Sequence, residues 1–173
     1  MAEYTYKYPH PAVTTDCVVF GFDGVRLNVL LIERGNDPYK GCWALPGGFL
    51  EIDEDAPDGA RRELMEETGL QVTHIEQLGA FASPDRDARE RVISIAYFTL
   101  VRTADVQGTD DAVRAQWFPI AKLPEMAFDH REIFDKALQR MSHFIKLHTG
   151  DFVSDDFSYE EMDAIYYATL SCR

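Results

Sequence analysis

The chain has 173 residues, of which 46% are apolar and 27% charged, so its length corresponds to one globular domain with at most a short appendage. Thirty acidic against seventeen basic residues give a net charge of −13, which excludes a protein held to nucleic acid by its overall charge. The cysteines are scattered and lack CxxC spacing, which indicates neither a disulfide framework nor a zinc site and favours a cytoplasmic setting. We expect no signal peptide and no membrane segment, because the apolar runs are too short.

Turn signals, capping residues and apolar periodicity predict a domain in which strands outnumber helices. The predicted strands cover residues 14–22, 25–33, 42–45, 72–82, 92–102 and 113–120. The predicted helices cover residues 56 or 57–68, residues 129–147 and a short segment opened by a capping box at Ser158. Asp23-Gly24 predicts a two-residue hairpin, Asp55 and Asp129 are predicted helix caps, and Gly69 is placed to end the first helix. Hairpins combined with crossovers predict an α/β or α+β domain on a mixed sheet.

The acidic residues are concentrated in two segments. Residues 51–67 hold eight acids and two arginines, a net charge of −6, and residues 151–173 hold six acids and one arginine, a net charge of −5. Bound cations would neutralise the first segment, whereas the second is expected to be a solvated tail. We therefore divide the chain into a domain over residues 1–150 and a short acidic helical tail over 151–173 that is not a separate domain.

Three glutamates lie on one face of the first predicted helix. Glu63, Glu66 and Glu67 fall within roughly a 100° arc, and like charges at this spacing cost a few tenths of a kcal/mol per pair. They also occupy the last turns, where the helix dipole disfavours anions. A solvated helix face is one interpretation. A site for Mg²⁺ or Mn²⁺ is the other, because these cations prefer carboxylate oxygens.

The surrounding residues form a longer pattern. Gly48 is followed after five residues by Glu54, and after seven more by Arg62-Glu63-Leu64-Met65-Glu66-Glu67-Thr68-Gly69-Leu70. This resembles the Nudix box, G-x5-E-x7-R-E-U-x-E-E-x-G-U with U a bulky aliphatic residue, and all nine specified positions match. Residues 30–34 and 43–48 are similar to the strands and loop that precede the box in this family. Residues 83–87 and 91–94 resemble the branch that contains ADP-ribose pyrophosphatases and Nudix-type regulators of NAD metabolism.

The resemblance implies a Nudix fold, an α/β/α sandwich around a mixed sheet. It implies hydrolysis of a nucleoside diphosphate linked to another moiety, with cleavage of ADP-ribose to AMP and ribose 5-phosphate as the leading reaction, although other nucleotide derivatives such as NADH fit the same pattern. The resemblance also implies that Glu66 and Glu67 are the leading Mg²⁺ or Mn²⁺ ligands, together with the backbone carbonyl of Gly47. Glu63 is implied to be either a third ligand or the base that takes the proton from water. Arg62 is implied to orient the glutamates rather than to contact substrate.

Arginines elsewhere in the chain are candidates for binding the diphosphate. Arg34, Arg86 and Arg91 are the predicted substrate contacts, because a planar guanidinium fork matches phosphate oxygens, and Arg89 offers the same chemistry. A surface role is an open alternative for each of them, since neighbouring acids make residues 85–91 neutral.

The resemblance also implies an alternative function, an ADP-ribose-sensing regulator that binds DNA through an attached winged helix. Residues 151–173 are too few and too acidic for a winged helix, although residues 155–170 faintly resemble its beginning. The complete box favours catalysis, because a sensor does not need the full set of glutamates. The expected partners are a small-molecule nucleotide and a second copy of the chain in a homodimer, with no nucleic acid and no membrane.

Overall fold

Strands and helices are interleaved along the chain. The computed structural model describes residues 5–108, 112–147 and 149–171. Its elements, in chain order, are β1 (Ala12–Phe22), β2 (Leu27–Arg34), β3 (Trp43–Ala44), β4 (Gly47–Phe49), α1 (Ala56–Thr68), β5 (Glu76–Phe81), β6 (Val92–Arg102), β7 (Ala112–Pro119), α2 (His130–Leu147) and α3 (Tyr159–Leu170).

The described strands form one mixed sheet in the order β3-β2-β1-β6-β5, with β4 also pairing with β1 and β7 with β2. β1 runs parallel to β6 along its whole length. Its other edge is divided, because β2 pairs antiparallel with its end and β4 pairs antiparallel with its beginning. The β4 register places Gly47 opposite Asp16 and Gly48 opposite Thr15. This edge of the sheet therefore carries the glycine pair that precedes the acid-rich helix.

The two faces of the sheet are covered by different helices. Alternate residues of β1 point to opposite faces, so Cys17 and Val19 pack with apolar residues of α1, whereas Val18 and Phe20 pack with residues of α2 and α3. The predicted apolar stripe of α2 is buried, and it consists of Ile133, Ala137, Leu138, Met141 and Ile145. The sheet thus separates α1 from the other two helices, which confirms the predicted α/β/α sandwich around a mixed sheet.

The first hairpin differs from its prediction. Four residues, 23–26, connect β1 to β2 instead of two. The Asp23 carboxylate accepts hydrogen bonds from the backbone N–H groups of Val25 (2.9 Å) and Arg26 (2.7 Å), and the Asp23 N–H donates to the Arg26 carbonyl at 3.2 Å. An aspartate side chain that caps its own turn in this way stabilises a wider loop than the Asp-Gly dipeptide alone predicts.

The strand predicted over residues 72–82 begins only at Glu76. The backbone carbonyl of His74 instead accepts hydrogen bonds from the hydroxyls of Thr99 (2.7 Å) and Ser154 (2.9 Å). Beyond this point the edge of β6 is taken by the C-terminal segment, because the Leu100 N–H donates to the Phe152 carbonyl at 2.8 Å. β5 therefore cannot extend further along β6.

The C-terminal segment packs on the domain, so the prediction of a solvated tail is wrong for its apolar side chains. Phe152 and Ile165 are 1% and 0% exposed and belong to the core cluster on the α2 side of the sheet. Arg102 of β6 forms an ion pair with Glu161 of α3 at 2.8 Å. The predicted capping box is present, since Ser158 accepts from the Glu161 N–H and the Glu161 carboxylate accepts from the Ser158 N–H. Most of the acids of this segment are exposed, whereas Phe152 and Ile165 are buried.

Cys17 has the properties of an apolar filler. It is 1% exposed, and burial raises the pKa of its thiol to about 12, so the thiolate is not populated at neutral pH. Cys172 lies outside the described residues. Within the described ranges, none of the helices combines the length and the apolar character needed to cross a bilayer.

Candidate active site

Helix α1 carries the glutamates and has sharply defined ends. Asp55 occupies the predicted N-cap position, although its side chain makes no capping hydrogen bond, and Pro57 lies in the first turn. Gly69 ends the helix in the left-handed conformation with φ of +73°, and its N–H donates to the Met65 carbonyl. These local signals place the last two turns so that Glu63 and Glu67 lie against the glycine pair of β4.

Arg62 is the centre of an ion-pair cluster on this helix. Its guanidinium donates to both carboxylate oxygens of Glu54, at 3.0 and 2.6 Å, and to the Phe49 carbonyl at 3.1 Å. It also donates to Glu63 at 2.9 Å and to Glu66 at 3.0 Å. Its five donated bonds go to protein acceptors, which is the geometry expected of a residue that orients glutamates.

Glu67 is the buried member of the three glutamates. Only 6% of the residue is exposed, and burial raises the pKa of its carboxyl to about 8, with the negative charges of Glu63 and Asp16 acting in the same direction. The Gly47 N–H donates to Glu67 Oε2 at 2.9 Å and partly opposes this rise. Burial likewise raises the pKa of Glu63, against the stabilising contact with Arg62. Two adjacent carboxylates are therefore held where ionisation is unfavourable without a cation.

The glycine pair of β4 allows this close approach. Gly47 has φ of +154°, and a Cβ atom there would lie 2.1 Å from the Thr15 carbonyl oxygen. A Cβ atom at Gly48 would lie 2.5 Å from Glu63 Oε1. Any side chain at position 48 would therefore occupy the space that the Glu63 carboxylate uses.

Glu63 and Glu67 face a cavity of about 380 Å³ between the β4 loop, α1 and the start of α2. Its acidic lining residues are Asp16, Asp37, Glu63, Glu67 and Asp87. Its basic lining residues are Arg34, Arg86 and Arg89. A cavity with carboxylates and guanidinium groups on its walls has one group of side chains for a cation and another for an anionic ligand.

The predicted arginines occupy three different situations. Arg34 lines the cavity, donates to the Pro38 carbonyl at 2.9 Å and lies 5.0 Å from the centre of the Phe128 ring. Burial and the nearby Arg89 lower the pKa of Arg34. Arg91 lies outside the cavity lining, and its guanidinium donates to the backbone carbonyls of Ser83 and Val92. The structure therefore does not bring Arg91 to the predicted site, whereas it places Arg89 there.

Arg86 reaches the cavity wall, but its guanidinium is already engaged. It donates to both carboxylate oxygens of Asp129 at 3.0 and 2.8 Å and lies 3.5 Å from Asp16. Burial alone would lower the pKa of Arg86, yet these carboxylates raise it. The predicted cap Asp129 therefore uses its side chain for this pair, and Arg86 has fewer donors left for a substrate.

Asp16 and His130 are site residues that the sequence did not reveal. Both are 5% exposed and both line the cavity. His130 is the first residue of α2 and Asp16 lies within β1, and no motif in the sequence marks either of them. Their proximity depends on the pairing of β1 with β4 and on the packing of α2, which no short spacing reveals.

The predicted metal site is assembled only in part. Glu63 and Glu67 face the cavity, but the Glu66 side chain is 46% exposed, pairs with Arg62 and does not line the cavity. Across residues 5–108, 112–147 and 149–171, no three acidic, histidine or cysteine side chains are grouped closely enough to form a ready cation site. The donor chemistry nevertheless fits a hard divalent cation, because the buried Glu67 and the half-buried Glu63, both with raised pKa values, lie beside a glycine backbone.

The comparisons agree with this geometry. The model of the NUDIX domain family matches residues 10–137. An ADP-ribose pyrophosphatase of Methanocaldococcus jannaschii is 44% identical over 126 residues, covering 73% of this chain and 72% of that protein. The ADPR responsive transcriptional repressor NtrR of Acinetobacter baylyi is 33% identical over 149 residues. This alignment covers 83% of this chain and 60% of the repressor.

A solved structure gives the same result. The NUDIX domain of Shewanella oneidensis NrtR complexed with ADP ribose is similar with a TM-score of 0.74 and 32% identity, covering 80% of this chain and 94% of that one. The family model covers most of the chain, and the matched residues include the whole of α1 and the loop before it. The chain therefore belongs to the NUDIX domain family.

Proposed function

We propose that this chain is a divalent-cation-dependent hydrolase that cleaves ADP-ribose to AMP and ribose 5-phosphate. The observation that carries the proposal is the complete glutamate motif on α1, with Glu63 and Glu67 turned into a cavity that also presents guanidinium groups. The 44% identity to a protein named ADP-ribose pyrophosphatase supports the choice of substrate. The complex of a related NUDIX domain with ADP ribose supports the same ligand class.

The proposal gives each group a role. Glu63, Glu67 and the Gly47 carbonyl would hold Mg²⁺ or Mn²⁺, with Glu66 as a further ligand assigned from the motif alone. Such a cation neutralises charge on phosphoryl oxygens and lowers the pKa of a bound water. Arg62 holds Glu63 and Glu66 in place, and a carboxylate such as Glu63 accepts the proton from water. We expect acid–base chemistry and cation binding to share Glu63 and Glu67.

The arginines would bind the diphosphate. Arg34 and Arg89 line the cavity and are our candidates for direct contact with phosphate oxygens. Arg86, which is paired with Asp129, is proposed to shape the wall. Arg91, a predicted contact, would reach the ligand only after its bonds to the Ser83 and Val92 carbonyls were broken.

The test is product analysis with ADP-ribose in the presence of Mg²⁺ or Mn²⁺. AMP and ribose 5-phosphate should appear in equal amounts, and Glu67→Gln should lower kcat by at least about a hundredfold. Asp58→Asn is the matched control, because Asp58 lies on the same helix with a side chain that is 70% exposed and away from the cavity. Full turnover in excess EDTA would end the cation hypothesis, and absence of AMP under all conditions would end the substrate assignment.

A second candidate is a regulator that binds ADP-ribose and DNA, and it is favoured by the 33% identity to a transcriptional repressor. Residues 151–173 hold six acids and one arginine, and a DNA-binding element needs basic residues to neutralise phosphates. We therefore propose that the chain binds duplex DNA no more tightly than about 10⁻⁴–10⁻⁶ M at physiological salt. A nanomolar mobility shift of promoter fragments, relieved by ADP-ribose, would reverse the order of the two candidates.

We further propose that the protein acts in the cytoplasm as a homodimer. The scattered cysteines support the reducing compartment, and Cys17 and Cys42 are free thiols in the structure. The dimer follows from the resemblance to the ADP-ribose branch. Light scattering coupled to size-exclusion chromatography measures it directly, and a monomer mass at micromolar concentration would refute it.

A further inference from the structure

His130 lies outside the glutamate motif, yet its ring contacts the loop that carries the glycine pair. The Leu45 N–H donates to His130 Nδ1 at 2.9 Å, a hydrogen bond that spans 85 positions of the sequence. Leu45 is 1% exposed and His130 is 5% exposed, so the Leu45 N–H has no access to solvent as an alternative acceptor. The first residue of α2 is thereby joined to the residue two positions before Gly47.

The environment of the ring determines its tautomer. Because Nδ1 accepts a hydrogen bond, the ring proton is on Nε2, which lies 3.5 Å from Asp16 Oδ1. The other oxygen of Asp16 accepts from the Ser94 hydroxyl and lies 3.5 Å from Arg86. Burial lowers the pKa of His130, so the ring is neutral and Nδ1 stays available as an acceptor. The arrangement fits a residue that holds a loop and does not fit a free general base.

The loop held by this bond aims the backbone at Glu67. The Pro46 carbonyl accepts from the Cys17 N–H at 2.9 Å, and the Gly47 N–H donates to Glu67 Oε2 at 2.9 Å. Three successive residues, 45–47, are thus fixed by His130, by β1 and by Glu67. Loss of the first bond would leave the Leu45 N–H buried without an acceptor and would loosen the chain between Ala44, which stays paired with β2, and Gly47.

We propose that His130 is a positioning residue that acts through the Leu45 N–H on the Gly47 backbone, and so on the orientation of Glu67. Asp16 maintains the required tautomer by facing Nε2. The inference deepens the proposed function, because it assigns a residue on α2 to the support of the cation-binding pair on α1. Supporting residues of this kind commonly change metal affinity by 10–100-fold when altered.

Two amide variants separate positioning from packing. In His130→Asn the amide oxygen stands at the same bond separation from Cα as Nδ1, so it can still accept from Leu45. In His130→Gln the polar atoms lie one bond further out, near the position of Nε2. We expect the Asn variant to keep a hydrogen bond from the Leu45 N–H and the Gln variant to lose it. His143→Asn, at an exposed position of the same helix, is the control.

The measurements are amide hydrogen exchange at Leu45 and Gly47, followed by NMR, and titration of the metal-free protein with Mn²⁺. The Gln variant should exchange the Leu45 amide at least about tenfold faster and bind Mn²⁺ about tenfold more weakly, while the Asn variant stays within about twofold of wild type. With ADP-ribose, kcat should fall in the Gln variant with little change in KM.

Several outcomes would overturn the proposal. Equal losses in the Asn and Gln variants would assign His130 to packing alone, as would unchanged Leu45 exchange in the Gln variant. Unfolding of the Gln variant alone, with the Asn variant folded and binding Mn²⁺ normally, would support the Leu45 bond as the essential contact. If wild-type protein leaves ADP-ribose intact, the proposed function fails, whereas the exchange and Mn²⁺ measurements still decide this inference.

Discussion

Replacing Glu67 with Gln should stabilise the cation-free protein at high pH. The substitution removes one buried negative charge and retains the shape of the side chain, and the amide oxygen can still accept from the Gly47 N–H. Burial raises the pKa of Glu67 from 4.5 to about 8, so the folded protein binds this proton more tightly than the unfolded chain does. The stabilising contribution is therefore complete below pH 4.5 and is lost as the pH rises through about 8.

The size of the effect follows from the same shift. At about 1.36 kcal/mol per pKa unit, the rise from 4.5 to about 8 corresponds to a loss on the order of 5 kcal/mol at pH 9. Urea unfolding in EDTA, followed by tryptophan fluorescence, measures the difference between Glu67→Gln and wild type at pH 5 and pH 9. The difference should be small at pH 5 and should reach several kcal/mol in favour of the variant at pH 9.

Divalent cations should narrow this difference in stability at pH 9. A ligand present at 100 times its Kd stabilises the folded state by about 2.7 kcal/mol, so Mn²⁺ should stabilise wild type and have little effect on Glu67→Gln. Asp58→Asn, which removes an exposed charge from the same helix, should show neither the pH dependence nor the loss of the Mn²⁺ effect. Equal stability of wild type and Glu67→Gln at pH 9, or equal stabilisation by Mn²⁺, would refute the reasoning.

Three further substitutions test neighbouring contacts. Arg62→Lys retains the charge but loses the two-bond contact with Glu54, so steady-state kinetics should show that kcat falls more than KM rises. A KM that rises more than kcat falls would show that Arg62 contacts the substrate. Gly48→Ala places a Cβ atom 2.5 Å from Glu63 Oε1, so Mn²⁺ affinity by calorimetry should fall about tenfold while the melting temperature changes little. Phe152→Ala should lower the free energy of unfolding in urea by about 3–5 kcal/mol. A loss below about 1 kcal/mol would show that the tail is solvated and not packed on the domain.

Local signals account for the parts of the fold that the sequence predicted well. The helix predicted over residues 56–68 matches α1, because Pro57 lies in its first turn and Gly69 ends it with a positive φ that non-glycine residues disfavour. The strand predicted over residues 92–102 matches β6, a long apolar run between charged segments. Helix caps, helix-ending residues and apolar periodicity act within a few residues, so they can be recognised in the sequence before the fold is known.

Contacts between distant segments account for what the sequence did not predict. β4 is absent from the predicted strands because Pro46-Gly47-Gly48 ends the strand pattern of residues 42–45, yet the beginning of β1 pairs with it. The buried side of the tail was hidden by its charge, since the buried Phe152 and Ile165 lie in a segment that holds six acids and one arginine. Both features depend on which strand edges remain open after the sheet has formed, and no short window of sequence reports this.

The ion pair between Arg86 and Asp129 indicates that the Arg86 guanidinium has a structural role. The Arg86 side chain is 4% exposed and that of Asp129 is 17% exposed, so removing one partner leaves the other charge buried. Breaking a buried pair in this way costs about 3–5 kcal/mol, whereas replacing both partners with apolar residues of similar volume is often neutral. Arg86→Met and Asp129→Leu should therefore each be strongly destabilising, and the double variant should recover most of the loss.

A double-mutant cycle in urea measures this coupling and separates the two interpretations of Arg86. A positioning role predicts a coupling energy of several kcal/mol, with KM for ADP-ribose nearly unchanged in the folded double variant. Direct phosphate binding predicts little coupling and a raised KM in every variant that lacks the guanidinium. Because Asp16 also lies 3.5 Å from Arg86 and keeps its hydrogen bond from Ser94, the double variant retains one supported carboxylate at the cavity wall. A small coupling energy together with a raised KM would show that Arg86 binds the substrate directly.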